Sequence, residues 1–321
     1  MTPSSLTILP SSHAFVPAVV TAAGTKATRR YIEFFTAEIR NPRTRRAYAG
    51  AVGKYFTWCE RHRLTLETVE PVHVAAFVEQ LGREIAAPSV KQHLAAVRML
   101  YDWLVIGQVV PMNPAASVRG PKHIVKKGKT PIPSPEEARA LLNSIPDQTL
   151  IGLRDRAVIG TLLYTFARVG AATGLKVEDY FPQGKRWWLR LHEKGGKVHE
   201  MPVNHFLEAY LDAYLETAEI SSERKAPLFR TVYRKTGKLT DRPMRQEDVF
   251  RMIRRRAVDA GVKTALGCHS FRALGITVYL ENGGSLEKAQ QMAAHESPRT
   301  TKLYDRTMDQ VTLDEVERIV V

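Results

Sequence analysis

The chain is short of cysteine, of acidic clusters and of long apolar runs, and each shortage removes a class of protein. Cys59 and Cys268 are its two cysteines, far apart and in no CxxC spacing. Neither a disulfide framework nor a zinc site is implied, and a reducing, cytoplasmic setting is expected. No apolar run approaches the roughly 20 residues needed to cross a bilayer. The segment AFVPAVVTAAG (14–24) contains Pro17 and has no Lys or Arg before it, so it reads as an N-terminal arm and not as a signal peptide. Two-metal nucleases need carboxylates that converge on one point. Glu178 and Asp179 are adjacent and point apart on most backbones, so no metal and no cofactor is expected. No internal repeat or low-complexity tract stands out.

Positive charge is what the chain has in excess. Its 321 residues include 47 Lys and Arg against 33 Asp and Glu, a formal charge of +14. An imbalance of that sign in a globular chain points to a polyanion. Nucleic acid fits better than an anionic membrane surface, because the basic residues are spread along the whole length and not gathered on one amphipathic helix. With 44% hydrophobic residues the chain can bury real cores, and its length predicts two domains.

Residues 1–25 read as the arm. Helical spacing runs through Tyr31, Phe34, Phe35 and Ile39, stops at Asn41-Pro42, and resumes through Tyr48, Val52, Tyr55, Phe56 and Cys59 with Pro42 in the first turn. PVHVAAFVEQLGRE and APSVKQHLAAVRMLYDWLV predict two more helices, the latter capped by Ser89 near Pro88. These four helices form a domain over 26–117, in which Arg43, Arg45, Arg46 and Lys91 are candidate contacts to a phosphate backbone. The same arginines on a small bundle would equally suit a solvated face. Residues 118–135 break all periodicity and carry Lys126 and Lys127, a basic linker suited to run over DNA.

The domain over 136–321 opens with a capping box from Ser134 to Glu137 and continues into an apolar helix interrupted near Gly170, with Arg168 at the interruption. RWWLRLHEKGGKVHEMPV then alternates on both sides of Gly195-Gly196, a hairpin signal, and helical patterns follow. The expected fold is mainly α with one small antiparallel β-sheet, in two domains. In the tail, 309–321, Leu313, Val316 and Ile319 or Val320 recur at helical spacing. That stripe needs covering by its own domain or by a neighbouring subunit.

Four polar signals stand in chain order: Arg168, Lys194 at the hairpin turn, His269 and Arg272 in HSFR, and HESPRTTKLY with His295 and Tyr304. Singly each is ordinary, since a lone Arg is usually a surface cation and a lone His usually structural. His269 and Arg272, three apart, share one helix face. In this combination and order the chain resembles the tyrosine recombinase (phage integrase) family over nearly its whole length. The resemblance implies that Arg168 is the family's first arginine, Lys194 its hairpin lysine, His269 and Arg272 its His-x-x-Arg box, His295 its next histidine and Tyr304 its nucleophile. NPRTRRAYAGAVGKYFTW is similar to the family's DNA-clasping helical domain.

The resemblance further implies a site-specific recombinase that cleaves and rejoins duplex DNA at inverted-repeat sites through a covalent 3′-phosphotyrosine, without metal or ATP. It would act as a homotetramer on DNA, with a monomer or dimer on each site before synapsis, and accessory proteins are left unspecified. The residue types suit that chemistry. A phenol titrates near 10 and needs nearby cations or a base to act as a nucleophile at neutral pH. Two guanidinium forks can hold the non-bridging oxygens of a five-coordinate phosphorus. A lysine can protonate the leaving oxygen. A type IB topoisomerase uses a similar set, and a non-catalytic DNA-binding relative would keep the fold alone. Three departures from the family pattern are visible. Ala171 stands where a carboxylate usually follows the first arginine, Ala294 replaces the glycine before the next histidine, and Phe166-Ala167 replaces Gly-Leu.

Overall fold

The structure, a computed structural model, describes residues 16–123, 128–233, 235–305 and 316–317, the side chain of Lys194 excepted. Lys126, Lys127 and most of the tail 309–321 therefore lie outside the described residues. The chain divides into two compact units between Ile124 and Val125.

The first unit is helical: α1 (Ala18–Ala22), α2 (Gly24–Glu33) with a π-helical turn over Phe34–Glu38, α3 (Pro42–Arg61), α4 (Pro71–Glu84) and α5 (Ala87–Ile106). Asn41 starts α3 by accepting the backbone N–H of Arg43 at 2.9 Å and of Thr44 at 3.3 Å, while Pro42 occupies a first-turn position that has no donor to waste. Phe34, Tyr55, Phe56, Leu100 and Tyr101 are fully buried together, and the hydroxyls of Tyr55 and Tyr101 satisfy each other at 3.3 Å. Two expectations are corrected here. Ala18–Ala22 and the first residues of α2 are helical and packed on this unit, not an arm, because Val19 and Val20 are apolar and buried in its core. Ser89 does not cap α5; the helix starts two residues earlier with Ala86 as its N-cap, and Ser89 sits inside the first turn beside Pro88.

The second unit comprises α6 (Pro135–Ser144), α7 (Leu150–Tyr164), α8 (Val169–Thr173), β1 (Tyr180–Gln183), β2 (Arg186–His192), β3 (Val198–Pro202), α9 (His205–Ala218), β4 (Arg230–Val232), β5 (Leu239–Pro243), α10 (Gln246–Asp259), α11 (Cys268–Glu281), α12 (Leu286–Met292) and α13 (Pro298–Lys302). The Ser134–Glu137 capping box forms as expected. α7 is central, with Ala157, Val158, Ile159 and Leu162 all fully buried. The hairpin β2–β3 pairs Leu191 with His199 and turns through Gly195 and Gly196, both at positive φ. β1 extends it to three antiparallel strands.

Among the described residues the single expected sheet is two, since β4 and β5 form a separate hairpin whose register is irregular between Arg230 and Val232. Its strands are short and largely polar, so they carry no alternation to read. The break expected near Gly170 comes earlier. α7 ends at Tyr164, Phe166 takes a left-handed conformation at φ 54°, and Gly170 lies within α8. α11 crosses this break closely: a Cβ on Gly275 would collide with the carbonyl of Leu163 and lie 2.8 Å from the Phe166 ring. Only glycine lets α11 approach there, and that approach sets the depth of the site.

Candidate active site

α11 begins after Gly267, so His269 is in its first turn and Arg272 one turn deeper. Arg272 is 1% exposed. Its Nη1 donates to the carbonyl of Phe166 and its Nη2 to the carbonyl of Ala293 at 2.6 Å. Both acceptors belong to backbone held in an unusual conformation, Phe166 itself and the residue before Ala294, which has φ 46°. The two positions where the sequence departs from glycine are thus left-handed nonetheless, at a cost of about 1–2 kcal/mol each, and the carbonyls they present pin the guanidinium. Burial, with Arg168 adding to it, lowers the pKa of Arg272 to about 10, while Glu193 and the Tyr304 hydroxyl act in the opposite direction. Arg272 remains a cation at neutral pH.

Arg168 is the N-cap of α8 and reaches toward the same place. Its Nη1 meets Oε2 of Glu193 at 2.6 Å, and a long contact of 3.5 Å joins it to the carbonyl of Ala294. Its Nε and Nη2 make no hydrogen bond among the described residues. The Glu193 side chain is 2% exposed, and its Oε1 is buried without a partner among the described residues. Glu193 went unread in the sequence, although EKGGK places a carboxylate directly before the lysine. Ala171, buried in α8, offers Arg168 no acceptor.

His295 is buried, its Nδ1 2.9 Å from the Thr301 hydroxyl. Desolvation first, then Arg272, Arg168 and His269, push its pKa down to about 3, so the ring is neutral at physiological pH. His269 is exposed on its helix, yet desolvation of its ring and the charges of Arg272 and Arg168 lower its pKa as well. The rings of His295 and Tyr304 lie parallel, 7° apart with centroids at 5.9 Å. Tyr304 is placed by its backbone: its N–H donates to Thr301 at 2.9 Å, and its carbonyl accepts the Thr277 hydroxyl at 3.0 Å. Its ring packs on a small apolar cluster of Phe166, Ile276, Leu280, Ala289 and Ala293. Arg168, His269, Arg272, His295 and Tyr304 are therefore assembled in one unit from α8, α11 and the chain around α13. Lys194 heads the turn after Glu193, and its side chain is outside the described residues.

Of the candidate backbone contacts, Arg43, Arg46 and Lys91 are exposed. Arg45 is half-buried and donates Nε and Nη2 to the Ile39 carbonyl at 3.1 and 2.9 Å. No group of three His, Cys, Asp or Glu able to hold a metal occurs among the described residues, and no described helix is long and apolar enough to cross a membrane.

A helical unit, followed by a mainly helical unit with two small sheets that itself holds the paired arginines, histidines and tyrosine, defines a class, and comparison with known proteins gives it a name. Residues 134–310 match the phage integrase family, and residues 29–107 match the phage integrase N-terminal SAM-like domain. The chain belongs to the phage integrase family of tyrosine recombinases. Among its relatives, the tyrosine recombinase XerD of Chlorobaculum tepidum is 26% identical over 303 residues, covering 91% of this chain and 95% of that protein. In fold it is similar to the XerH site-specific recombinase bound to palindromic difH substrate in a post-cleavage complex (TM-score 0.67, 17% identity, 91% and 87% of the two chains). It is also similar to a lambda integrase tetramer bound to a Holliday junction (TM-score 0.60, 17% identity, 89% and 79% of the two chains).

Proposed function

We propose that this protein cleaves and rejoins duplex DNA at specific sites through a covalent 3′-phosphotyrosine made by Tyr304. One observation carries the reading: two guanidinium forks, Arg168 and Arg272, converge beside Tyr304 and the neutral His295, with part of the Arg168 fork unoccupied. A scissile phosphate fits that opening. Tyr304 Oη attacks phosphorus, the Oη–P bond forms and the P–O5′ bond breaks. The phenolic proton passes to solvent, with the two histidines lining its path, and the leaving 5′ oxygen takes a proton from Lys194. The forks hold the non-bridging oxygens as charge grows on them. A 5′ hydroxyl from a second duplex reverses the step, and the phosphotyrosine conserves the bond energy, so the scheme uses neither ATP nor a metal ion.

The N-terminal SAM-like match and the exposed Arg43, Arg46 and Lys91 support a first unit that grips the DNA backbone. The lambda integrase neighbour is a tetramer on a Holliday junction, and we infer a tetramer here, acting on two inverted-repeat sites. The experiment starts by recovering duplexes bound by the Tyr304→Phe protein from a random library. On the recovered site the wild type forms an SDS-stable adduct, unaffected by EDTA. Tyr304→Phe binds within about twofold of wild type and forms none, because it loses one oxygen and no charge. An adduct surviving that substitution removes Tyr304 from the role. Relaxation of supercoiled DNA by single protomers, without exchange between sites, favours a topoisomerase.

A further inference from the structure

We propose that Glu193 is the positioning residue for Arg168, and that through it the hairpin carrying Lys194 and the phosphate-holding arginine are set as one piece. The inference rests on the strand-exchange reading above. Arg168 projects from the first residue of a short helix, with its side chain 33% exposed. A long cation there has many rotamers, and the nearby charge of Arg272 repels it. Something must select one direction.

Ala171, on the turn that Arg168 caps, has only a methyl group to offer. The acceptors that reach Arg168 are the weak carbonyl contact from Ala294 and the carboxylate of Glu193 at 2.6 Å. That carboxylate is itself fixed. Its side chain is nearly fully buried, and its backbone N–H donates to the Lys197 carbonyl at 2.7 Å, closing the turn that begins at Lys194. A buried carboxylate requires a cation, and among the described residues Arg168 is the cation that pairs with it. The contact uses one nitrogen, Nη1, so the pair fixes the direction of the guanidinium while Nε and Nη2 stay available for a phosphate.

A carboxylate this close to the phosphate position cannot help by charge, because it repels the ligand. Its contribution is geometric, and this gives opposite signs for binding and rate. Glu193→Gln removes the repulsion and loosens Arg168. DNA affinity therefore stays at the wild-type value or rises, while the cleavage rate constant at saturating DNA falls about 10- to 100-fold, the usual effect of removing a partner that orients a site group. A side chain needed only for folding would lower the melting temperature, affinity and rate together.

The experiment measures single-turnover cleavage by wild type, Glu193→Gln, Glu193→Ala and Lys194→Ala on the recovered duplex. A second duplex carries sulfur in place of the bridging 5′ oxygen. A thiolate leaves without a proton, so that duplex relieves a defect in the leaving-group acid and no other. Relief of Lys194→Ala with the Glu193 defects persisting supports action through Arg168. Relief of the Glu193 variants to the same degree overturns it, placing Glu193 behind Lys194. Wild-type rates for both Glu193 variants also overturn it, as does a rate loss that only parallels lost affinity and stability. Glu193→Ala with Ala171→Glu is a further arm, and recovery of rate there shows that Arg168 needs a carboxylate and not this one side chain. In the free protein, the ¹⁵N-labelled guanidinium of Arg168 rotates slowly in the wild type and freely in Glu193→Gln; equal rotation overturns the inference. If the wild type makes no adduct on either duplex, the strand-exchange reading fails, and the guanidinium measurement still decides what holds Arg168.

Discussion

The second unit contains two buried arginine clusters, and they end differently. In one, Asp155 on α7 is fully buried between two forks: Oδ1 accepts Nε and Nη2 of Arg154 at 3.2 and 2.8 Å, and Oδ2 accepts Nε and Nη2 of Arg256 at 3.0 and 2.8 Å. In the other, Arg272 is held by two backbone carbonyls and Arg168 by one oxygen of Glu193, and no carboxylate pairs with Arg272 among the described residues. Residue types are alike, although Arg168 is more open to solvent than Arg154 or Arg256. The anion differs: the first cluster contains it, filling both forks side-on, and the second holds its forks with neutral acceptors and leaves room between them. Asp155 occupies the position relative to its arginines that, on the reading proposed here, a DNA phosphate occupies relative to Arg168 and Arg272.

The sharpest break of that comparison is Asp155→Asn. Removing the shared anion leaves buried guanidinium charge unmatched, and stability should fall by about 3–5 kcal/mol, measured by urea unfolding of the whole chain. Whatever folded protein remains should cleave its site at nearly the wild-type rate. Loss of cleavage without loss of stability would mean that the two clusters are one functional unit. Next in size is the converse, Arg272→Lys or Arg168→Lys. A point charge cannot reproduce a fork, so cleavage should drop about 10²- to 10³-fold, the effect of removing one preorganised donor. Near-normal single-turnover rates for both would remove the phosphate-clamp assignment.

The difference between the clusters also explains what could be read from the sequence. Helices α3, α4 and α5 follow from apolar spacing, and the polar set was legible as motifs because each member sits in a recognisable local run. Partnerships were not legible. Arg256 is 101 residues from Asp155, and Glu193 is 25 from Arg168; no periodicity links such pairs, since the fold alone brings them together. β4 and β5 stayed unread for a different reason: three and five residues long and rich in polar side chains, they carry no alternation to read. The left-handed Phe166 and Ala294 are contrary to local preference, and the one trace of them in the sequence was that both stand where the family pattern has glycine.

A smaller effect concerns pH. His295 is held near 3 and His269 below its ordinary value, so the folded protein protonates these rings at lower pH than the unfolded chain, which titrates near 6.5. Stability therefore falls as pH drops from about 6.5 toward 3, with a slope of at most about 1.4 kcal/mol per pH unit from His295. Carboxylates contribute in the lower part of the window, so the measurement is the difference between wild type and His295→Gln. That difference should change between pH 6.5 and 5, where few carboxylates titrate. A flat difference there would mean that His295 is not kept neutral by its burial and by Arg272 and Arg168.

The smallest effect separates cations that look equivalent in sequence. Arg45 already spends Nε and Nη2 on the Ile39 carbonyl, tying the end of the π-helical turn to the start of α3. Arg46, exposed on the same helix, makes no hydrogen bond or ion pair among the described residues, so its charge is available to a phosphate. A neutralised phosphate contributes about 0.9 to the slope of log affinity against log salt. Arg46→Ala should therefore flatten that slope by about that amount, equally on the recovered site and on unrelated duplex, with stability unchanged. Arg45→Ala should flatten it by less than half as much and lower stability slightly through the lost tie. The check is a salt titration of binding for each variant in the Tyr304→Phe background, so that no covalent product accumulates. Equal slopes for wild type and Arg46→Ala would make this stretch of α3 a solvated face, and a larger change for Arg45 than for Arg46 would mean that the Ile39 tie opens when DNA binds.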